Sequence, residues 1–139
     1  MGLVEPSAAV SERFLASPDD GERIVMVNLN RYLDQSAYPD GCEHAARSGR
    51  EAYARYGAGV FPLITRHGGR VLYAATAGVG PVMAEAEAWD EVILVEYPSR
   101  KAFFEMVASA EYQAFVDHRS AAIADSRVIE TKPQPGSPN

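Results

Sequence analysis

Two spacings of apolar residues divide the chain into helices and strands. Spacings of three and four residues, typical of an amphipathic helix, occur in residues 49–67 and 99–124, with a pause near Ser109. Short runs rich in β-branched residues predict four strands, at residues 24–30, 70–79, 92–97 and 127–131. The order strand, helix, strand, strand, helix, strand predicts a single ferredoxin-like α+β domain over residues 23–131, with a four-stranded antiparallel sheet.

Three segments lie outside these strands and helices. Residues 1–22 predict an N-terminal extension that holds a short helix capped by Ser7. Residues 31–48 are polar and long for a connection, which indicates a lid or a binding segment. Residues 132–139 contain three prolines and predict a disordered tail.

Both faces of the predicted sheet are apolar. In the first strand Val25, Val27 and Leu29 share one face, while Ile24 and Met26 share the other. An antiparallel sheet that meets water on one side normally has a polar face there. Since two helices cover only one side, we expect the second side to pack on the sheet of an identical subunit. The pattern therefore predicts a homodimer that forms through a sheet face.

Composition and charge narrow the class of protein. The 139 residues carry a net charge of −6 and no basic stripe, which argues against a nucleic-acid partner. No apolar run approaches the length that a bilayer requires, and the N-terminus lacks a signal pattern, so no membrane partner is expected. Cys42 is the single cysteine, which excludes an internal disulfide and favours a cytoplasmic location.

Polar residues on apolar strand faces are candidates for ligand binding. Asn28 and Asn30 fall on the face of Ile24 and Met26, which we expect to line the cavity between the two sheets. Their amides either orient a carbonyl or hydroxyl group of a ligand or bond to neighbouring loop backbone.

Two charged residues also lie among apolar neighbours. Glu96 shares a strand face with Val92 and Leu94, as either a general base with a raised pKa or the partner of an arginine. Arg119 lies on an apolar helical stripe and therefore points inward, where it needs a carboxylate or carbonyl partner. It either binds an anionic substrate or pairs with Glu96 or Asp125.

Three aromatic residues complete the candidate set. Tyr53 and Tyr56 face inward from the first long helix, either as donors in a cavity or as core residues. Trp89 follows Glu85 and Glu87, and either walls a pocket beside the two carboxylates or seals the sheet edge.

Metal and cofactor signals are weak. Cys42 and His44 lie close together in a turn-rich loop, but no further ligands follow at matching spacing. The chain holds no nucleophile elbow, phosphate-binding glycine loop or dinucleotide motif. We therefore expect no cofactor and no bound metal.

Several short strings along the chain match one pattern when they are taken as a set. The strings are Met26-Val27-Asn28-Leu29, Gly49-Arg50-Glu51-Ala52-Tyr53, Gly68-Gly69-Arg70, Trp89-Asp90-Glu91-Val92 through Glu96-Tyr97-Pro98-Ser99-Arg100, Glu111-Tyr112-Gln113 with Arg119, and Asp125-Ser126-Arg127. Together they resemble domain-of-unknown-function family 1330, which belongs to the dimeric α/β-barrel superfamily. The resemblance spans roughly residues 23–131 and implies a ferredoxin-like subunit that pairs sheet to sheet into a barrel. It implies no activity, and Asn30 departs from it where an apolar residue is expected.

Three functional hypotheses follow. The first is a cofactor-independent enzyme that performs proton transfer or oxygenation on a small carbonyl or aromatic compound. Its orienting, donor, base and anion-binding groups would be Asn28, Tyr56, Glu96 and Arg119, with Asn30, Tyr53 and Trp89 lining the site. The second is a non-catalytic dimer that binds or senses a ligand, and the third is a purely structural dimer.

Overall fold

The computed structural model describes residues 2–137. Its elements are α1 (Ala8–Ala16), β1 (Ile24–Tyr32), α2 (Gly49–Arg66), β2 (Arg70–Thr76), β3 (Glu91–Tyr97), α3 (Arg100–Ala108), α4 (Ala110–Gln113), α5 (Val116–Ala122) and β4 (Ile123–Thr131). The strands form one antiparallel sheet in the order β2-β3-β1-β4. This arrangement confirms the predicted ferredoxin-like α+β fold.

Local signals fix the limits of α2. The Ser48 hydroxyl accepts a hydrogen bond from the Glu51 N–H, and the Glu51 carboxylate accepts one from the Ser48 N–H. This reciprocal pair satisfies two amide groups that the first helical turn leaves free. After the helix ends, Gly68 adopts a φ of 83°, a left-handed conformation that glycine accepts without strain.

The second helical region divides as its pattern predicts. The Ser99 hydroxyl caps α3 by accepting from the Ala102 N–H, and Ser109 ends α3 and caps α4. Strand β4 begins at Ile123, directly after α5, and is therefore longer than predicted. Strand β2 is shorter than predicted, because it ends at Thr76.

Helices cover one face of the sheet. Ile24 and Met26 from β1, together with Ile93 and Val95 from β3, are buried against residues of α2 and α3. Asn30 shares this face, since its partners Glu91 and Ser126 alternate with the same set. The expectation that Asn28 and Asn30 look into a space between two sheets is therefore wrong, because helices of the same chain cover their face.

The opposite sheet face, termed the open face, is apolar and partly exposed. It is formed by Val25, Val27 and Leu29 of β1, Val92 and Leu94 of β3, Tyr73 of β2 and Ile129 of β4. Tyr73 is 58% exposed and Ile129 is 51% exposed, although both are large apolar residues on strands.

The N-terminal arm, residues 2–22, packs on the helical side of the domain. It contains α1, which begins after Ser7 as predicted, and the ring of Phe14 lies 5.4 Å from that of Phe104. Arg100 donates to the Ser17 carbonyl at 2.8 Å. At the other end, residues 132–137 follow β4 and include a turn at residues 135–136, where the Ser137 N–H donates to the Gln134 carbonyl. Residues 138–139 of the predicted tail lie outside the described residues. No helix within residues 2–137 has the length and apolar character needed to cross a membrane.

Candidate functional site

A line of hydrogen-bonded polar groups lies beneath the helices. Asn30 is 1% exposed, and its amide oxygen accepts from the Ser126 hydroxyl at 3.2 Å. The Ser126 oxygen in turn accepts from Arg119 Nη2 at 2.9 Å. On the other side, Asn30 Nδ2 donates to the Tyr32 hydroxyl at 3.5 Å. Because burying unpaired polar groups is costly, this continuous line explains how the core tolerates Asn30.

The line ends in a tyrosine–carboxylate pair. The Tyr32 hydroxyl donates a short hydrogen bond to Glu91 Oε1. Burial raises the pKa of Tyr32 well above its ordinary value, and the hydrogen bond to Glu91 raises it further. Tyr32 therefore keeps its proton and presents it to the carboxylate. Glu91 Oε2 has no hydrogen-bond partner within residues 2–137.

A row of tyrosine rings in tilted and edge-to-face contact extends from this pair into the core. The ring centroids are 5.1 Å apart for Tyr32 and Tyr53, 5.2 Å for Tyr53 and Tyr56, and 6.0 Å for Tyr56 and Tyr112. The Tyr56 and Tyr112 hydroxyls are 3.0 Å apart. Burial raises the pKa of both Tyr53 and Tyr56. These tyrosines therefore remain neutral, with their rings packed in the apolar core and their hydroxyls available for hydrogen bonds.

A cavity of about 310 Å³ opens beside Tyr32. The guanidinium carbon of Arg50 lies 5.0 Å from the centroid of the Tyr32 ring, and Asp90 Oδ2 accepts from the Tyr32 N–H at 2.9 Å. The cavity thus places a cation over the face of the Tyr32 ring. Its lining residues are Tyr32, Leu33, Asp34, Ser48, Arg50 and Asp90.

The connection from β1 to α2 contributes to this cavity through Leu33, Asp34 and Ser48. Its middle is held on α5, where the Tyr38 hydroxyl lies 2.6 Å from His118 Nδ1. Burial, followed by the charges of neighbouring side chains, lowers the pKa of His118. The contact therefore holds a neutral imidazole near neutral pH, and the prediction of a binding segment for this connection stays open.

Glu96 lies at the other end of β3, on the open face. Its carboxylate contacts Arg23 Nη1 at 2.6 Å and Arg70 Nε at 3.1 Å. Burial alone would raise the pKa of Glu96, but the hydrogen bonds from the two arginines hold it below the ordinary value. The interpretation of Glu96 as a general base with a raised pKa is therefore wrong, and the ion-pair alternative describes it.

Two other predicted residues have partners that differ from the expected ones. Asn28 Nδ2 donates to the backbone carbonyls of Met26 at 3.3 Å and Ile93 at 3.2 Å, so its amide bonds to strand rather than loop backbone. Arg119 donates to the Val4 carbonyl at 2.8 Å and to Ser126. The expected pairing of Arg119 with Glu96 or Asp125 is wrong.

Trp89 walls a second cavity, of about 420 Å³, in the connection from β2 to β3. Its indole N–H donates to Glu87 at 2.8 Å, and Arg127 stacks 5.3 Å from its ring. Both Glu85 and Glu87 line this cavity, in keeping with the pocket interpretation. The two cavities share no lining residue, so Trp89 does not belong to the site at Tyr32.

The structure therefore joins Asn30, Tyr53, Tyr56 and Arg119 and separates Asn28, Glu96 and Trp89 from them. Sequence reasoning missed Tyr32, Glu91, Arg50 and Asp90. The signal for Glu91 was its alternation with Ile93 and Val95, but the predicted strand began one residue too late to include it. No group of three or more His, Cys, Asp or Glu residues in the described part of the chain could hold a metal ion.

The order of elements and of strands defines an α+β protein with a ferredoxin-like fold. A NIPSNAP domain protein from Burkholderia xenovorans matches this fold with a TM-score of 0.54 at 14% identity, covering 84% of this chain and 99% of its own. A protein from Bacteroides fragilis, described as dimeric and of unknown function, matches with a TM-score of 0.50 at 9% identity, covering 83% and 99%.

The chain belongs to the family described as Domain of unknown function (DUF1330), whose model matches residues 44–131. The RPA0582 protein of Rhodopseudomonas palustris, of unknown function, is 38% identical with a TM-score of 0.87. The alignment covers 96% of this chain and 98% of that protein. The methylated form of RPA0582 is 40% identical, with the same TM-score and with coverage of 97% and 98%. No curated protein matches the chain.

Proposed function

We propose that this protein binds a small carbonyl compound beside Tyr32 and transfers a proton on it without a cofactor. The observation that carries the proposal is the short hydrogen bond that Glu91 accepts from Tyr32, a residue that lines a cavity together with Arg50. A positioned carboxylate, a neutral donor and a cation are the groups that stabilise an enolate and move its proton.

The chemistry assigns a separate role to each group. Glu91 Oε2 takes a proton from the carbon next to the substrate carbonyl and returns it to the same or another carbon. When the substrate binds, the Tyr32 O–H turns its single hydrogen bond from Glu91 to the substrate oxygen, where negative charge develops. Because the pKa of Tyr32 is raised, it stabilises that charge without giving up its proton. Arg50 binds an anionic group of the substrate.

Exchange of carbon-bound protons with solvent tests this proposal. The protein would be incubated in D₂O with a panel of 2-oxo and 3-oxo acids, and the loss of C–H signals would be followed by NMR. We expect Glu91→Gln to slow exchange by about 100-fold or more, the range that a general base supplies. The matched control is Glu105→Gln, which changes an exposed carboxylate on α3 and should leave the rate unchanged.

Equal rates for wild type and Glu91→Gln would contradict the assignment of the base. Binding of a panel member at Tyr32 and Arg50 without any exchange would support a non-catalytic binding protein instead.

We also propose that two copies pair through the open face. The partly exposed Val25, Val27, Leu29, Val92 and Leu94 support this proposal, as does the dimer described for the Bacteroides fragilis protein of the same fold. A stable interface of standard size buries about 800 Å² per partner, which a four-stranded sheet face can supply. The single, exposed Cys42 is the basis for proposing a cytoplasmic location.

Sedimentation tests the dimer. The wild-type protein should sediment at twice the chain mass of 15.1 kDa, and Leu94→Arg should sediment as one chain with an unchanged circular dichroism spectrum. The matched control is Ala58→Arg, at an exposed position of α2. A wild-type mass of one chain at micromolar concentration would rule out this pairing.

A further inference from the structure

We infer that Arg119 is the carboxylate-binding group of a second subsite, and that the first residues of the N-terminal arm cover it as a displaceable lid. This inference rests on the proposed site at Tyr32 and deepens it. It names an aromatic or branched-chain carboxylate as the class of ligand and identifies the segment that regulates entry.

The lid, residues 2–5, is held by three polar contacts to α5 and β4. The Leu3 N–H donates to Asp125 Oδ1 at 2.9 Å, and the Ser120 hydroxyl donates to Glu5 Oε1 at 2.5 Å. Between them, the Val4 carbonyl accepts from Arg119 Nη1 at 2.8 Å. Leu3 and Glu5 are exposed, so when the lid opens water can form hydrogen bonds to the groups that their contacts release.

Arg119 is a cation without an anion. Within residues 2–137 no carboxylate lies at ion-pair distance from it, and its partners are the Val4 carbonyl and the Ser126 hydroxyl. The guanidinium is partly buried and close enough to Tyr53 and Tyr56 to act electrostatically on both. An inward cation in such surroundings is stabilised far better by a carboxylate than by a neutral carbonyl.

The side chain of Val4 marks where the apolar part of the ligand would lie. Val4 packs against a buried cluster that includes Tyr32, Ala52 and Ile123. Removing it exposes an apolar surface next to the guanidinium and beside Tyr32, which also lines the cavity of about 310 Å³. A carboxylate on Arg119 with an apolar group in place of Val4 would thus reach the Tyr32–Glu91 pair.

Gly2 provides a way to open the lid in the full chain. A Cβ atom at this position would lie 1.8 Å from the Ala124 carbonyl oxygen, so any larger residue must lift the lid. Gly78 is the matched control, since a Cβ there meets nothing within 4 Å. Leu3→Pro offers an independent route, because it removes the N–H that bonds to Asp125.

The experiment measures amide hydrogen exchange of residues 3–5 and binds benzoate as the probe. In Gly2→Val and Leu3→Pro we expect faster exchange and benzoate affinity at least about tenfold higher, since a closed lid lowers apparent affinity by the open fraction. Gly78→Ala should match the wild type. Adding Arg119→Met to Gly2→Val should abolish the gain, whereas Arg119→Lys should keep part of it.

Faster exchange without tighter benzoate binding would overturn the inference, as would unchanged exchange in both lid variants. The readout needs no turnover. A loss of proton exchange activity with benzoate binding intact would therefore count against the proposed reaction and leave the subsite standing, and the reverse pattern would do the opposite.

Discussion

Glu91 and Glu96 stand at opposite ends of β3 and on opposite faces of the sheet. Glu96 faces the open side and contacts two guanidinium groups, while Glu91 faces the helices and contacts a tyrosine hydroxyl. The two carboxylates lie on one strand of seven residues, yet their partners differ in charge. The comparison shows that the charge of the contacting group, rather than the carboxylate itself, distinguishes a structural role from a role in proton transfer.

The physical basis is charge compensation. Two arginines stabilise the ionised form of Glu96, lower its pKa and occupy both its oxygens, so it is a poor acceptor of a further proton. Tyr32 brings no positive charge, and it occupies only one oxygen of Glu91. A carboxylate that a neutral donor contacts at one oxygen keeps its other oxygen open, as proton transfer requires.

Removing the carboxylate of Glu91 should have the largest effect. In Glu91→Leu the buried Tyr32 hydroxyl loses its acceptor, which should reduce the free energy of unfolding by about 1–3 kcal/mol. Glu91→Gln keeps an acceptor oxygen and should lose less. Urea unfolding monitored by circular dichroism measures both variants. If the two lost the same amount, the hydrogen bond with Tyr32 would not be what stabilises this end of β3.

Removing the charge of Glu96 should have a smaller effect at neutral pH, about 1 kcal/mol or less, because both arginines are at least partly exposed. The effect should depend on pH. Since the pKa of Glu96 is lower in the folded state than the ordinary 4.5, its stabilisation is present above that value. It is lost as the pH falls through the folded-state pKa.

The difference in unfolding free energy between wild type and Glu96→Gln should therefore shrink as the pH falls from 7 to below 4. Subtracting the two proteins removes the contributions of other acidic groups, such as Asp125. A difference that grew on acidification would mean that burial, rather than the arginines, controls Glu96, and the contrast with Glu91 would fail.

The contrast also separates what the pattern of residues can predict from what it cannot. The alternation in β1, the helix face of Tyr56 and the pause near Ser109 depend on local spacing, and the structure confirms them. The side of the sheet that the helices cover could not be predicted in this way. Because both faces are apolar, the pattern predicts that Asn28 and Asn30 lie between two sheets, whereas they lie on the face that the helices cover.

The sequence pattern also fails to predict contacts between residues far apart in the chain. Arg119 was expected to find a carboxylate, but it bonds to the carbonyl of Val4, 115 residues earlier in the chain. Every residue has a backbone carbonyl, so the residue types in the sequence do not indicate which carbonyl accepts the hydrogen bond from Arg119. The pattern predicts the correct strand face for Glu96, but the pKa of Glu96 depends on Arg23 and Arg70. Arg70 is brought to Glu96 by the register of β2 and β3, and Arg23 by that of β1 and β3.

The smallest predicted effect is spectroscopic and tests whether the ends of β3 behave independently. Trp89, the only tryptophan, donates to Glu87 near the Glu91 end, and this hydrogen bond lowers the pKa of Glu87. Tryptophan emission should therefore stay constant down to about the ordinary glutamate pKa and change only below it.

Glu87→Gln should abolish this transition, because the titrating partner of the indole is gone. Glu96→Gln should leave it in place, since Glu96 titrates against its own arginines on the other face of the sheet. If Glu96→Gln shifted the pH of this transition, the charge of Glu96 at one end of β3 would affect the titration of Glu87 near the other end. The two carboxylates would then form one coupled system, and the role of Glu91 could no longer be argued from its own partner alone.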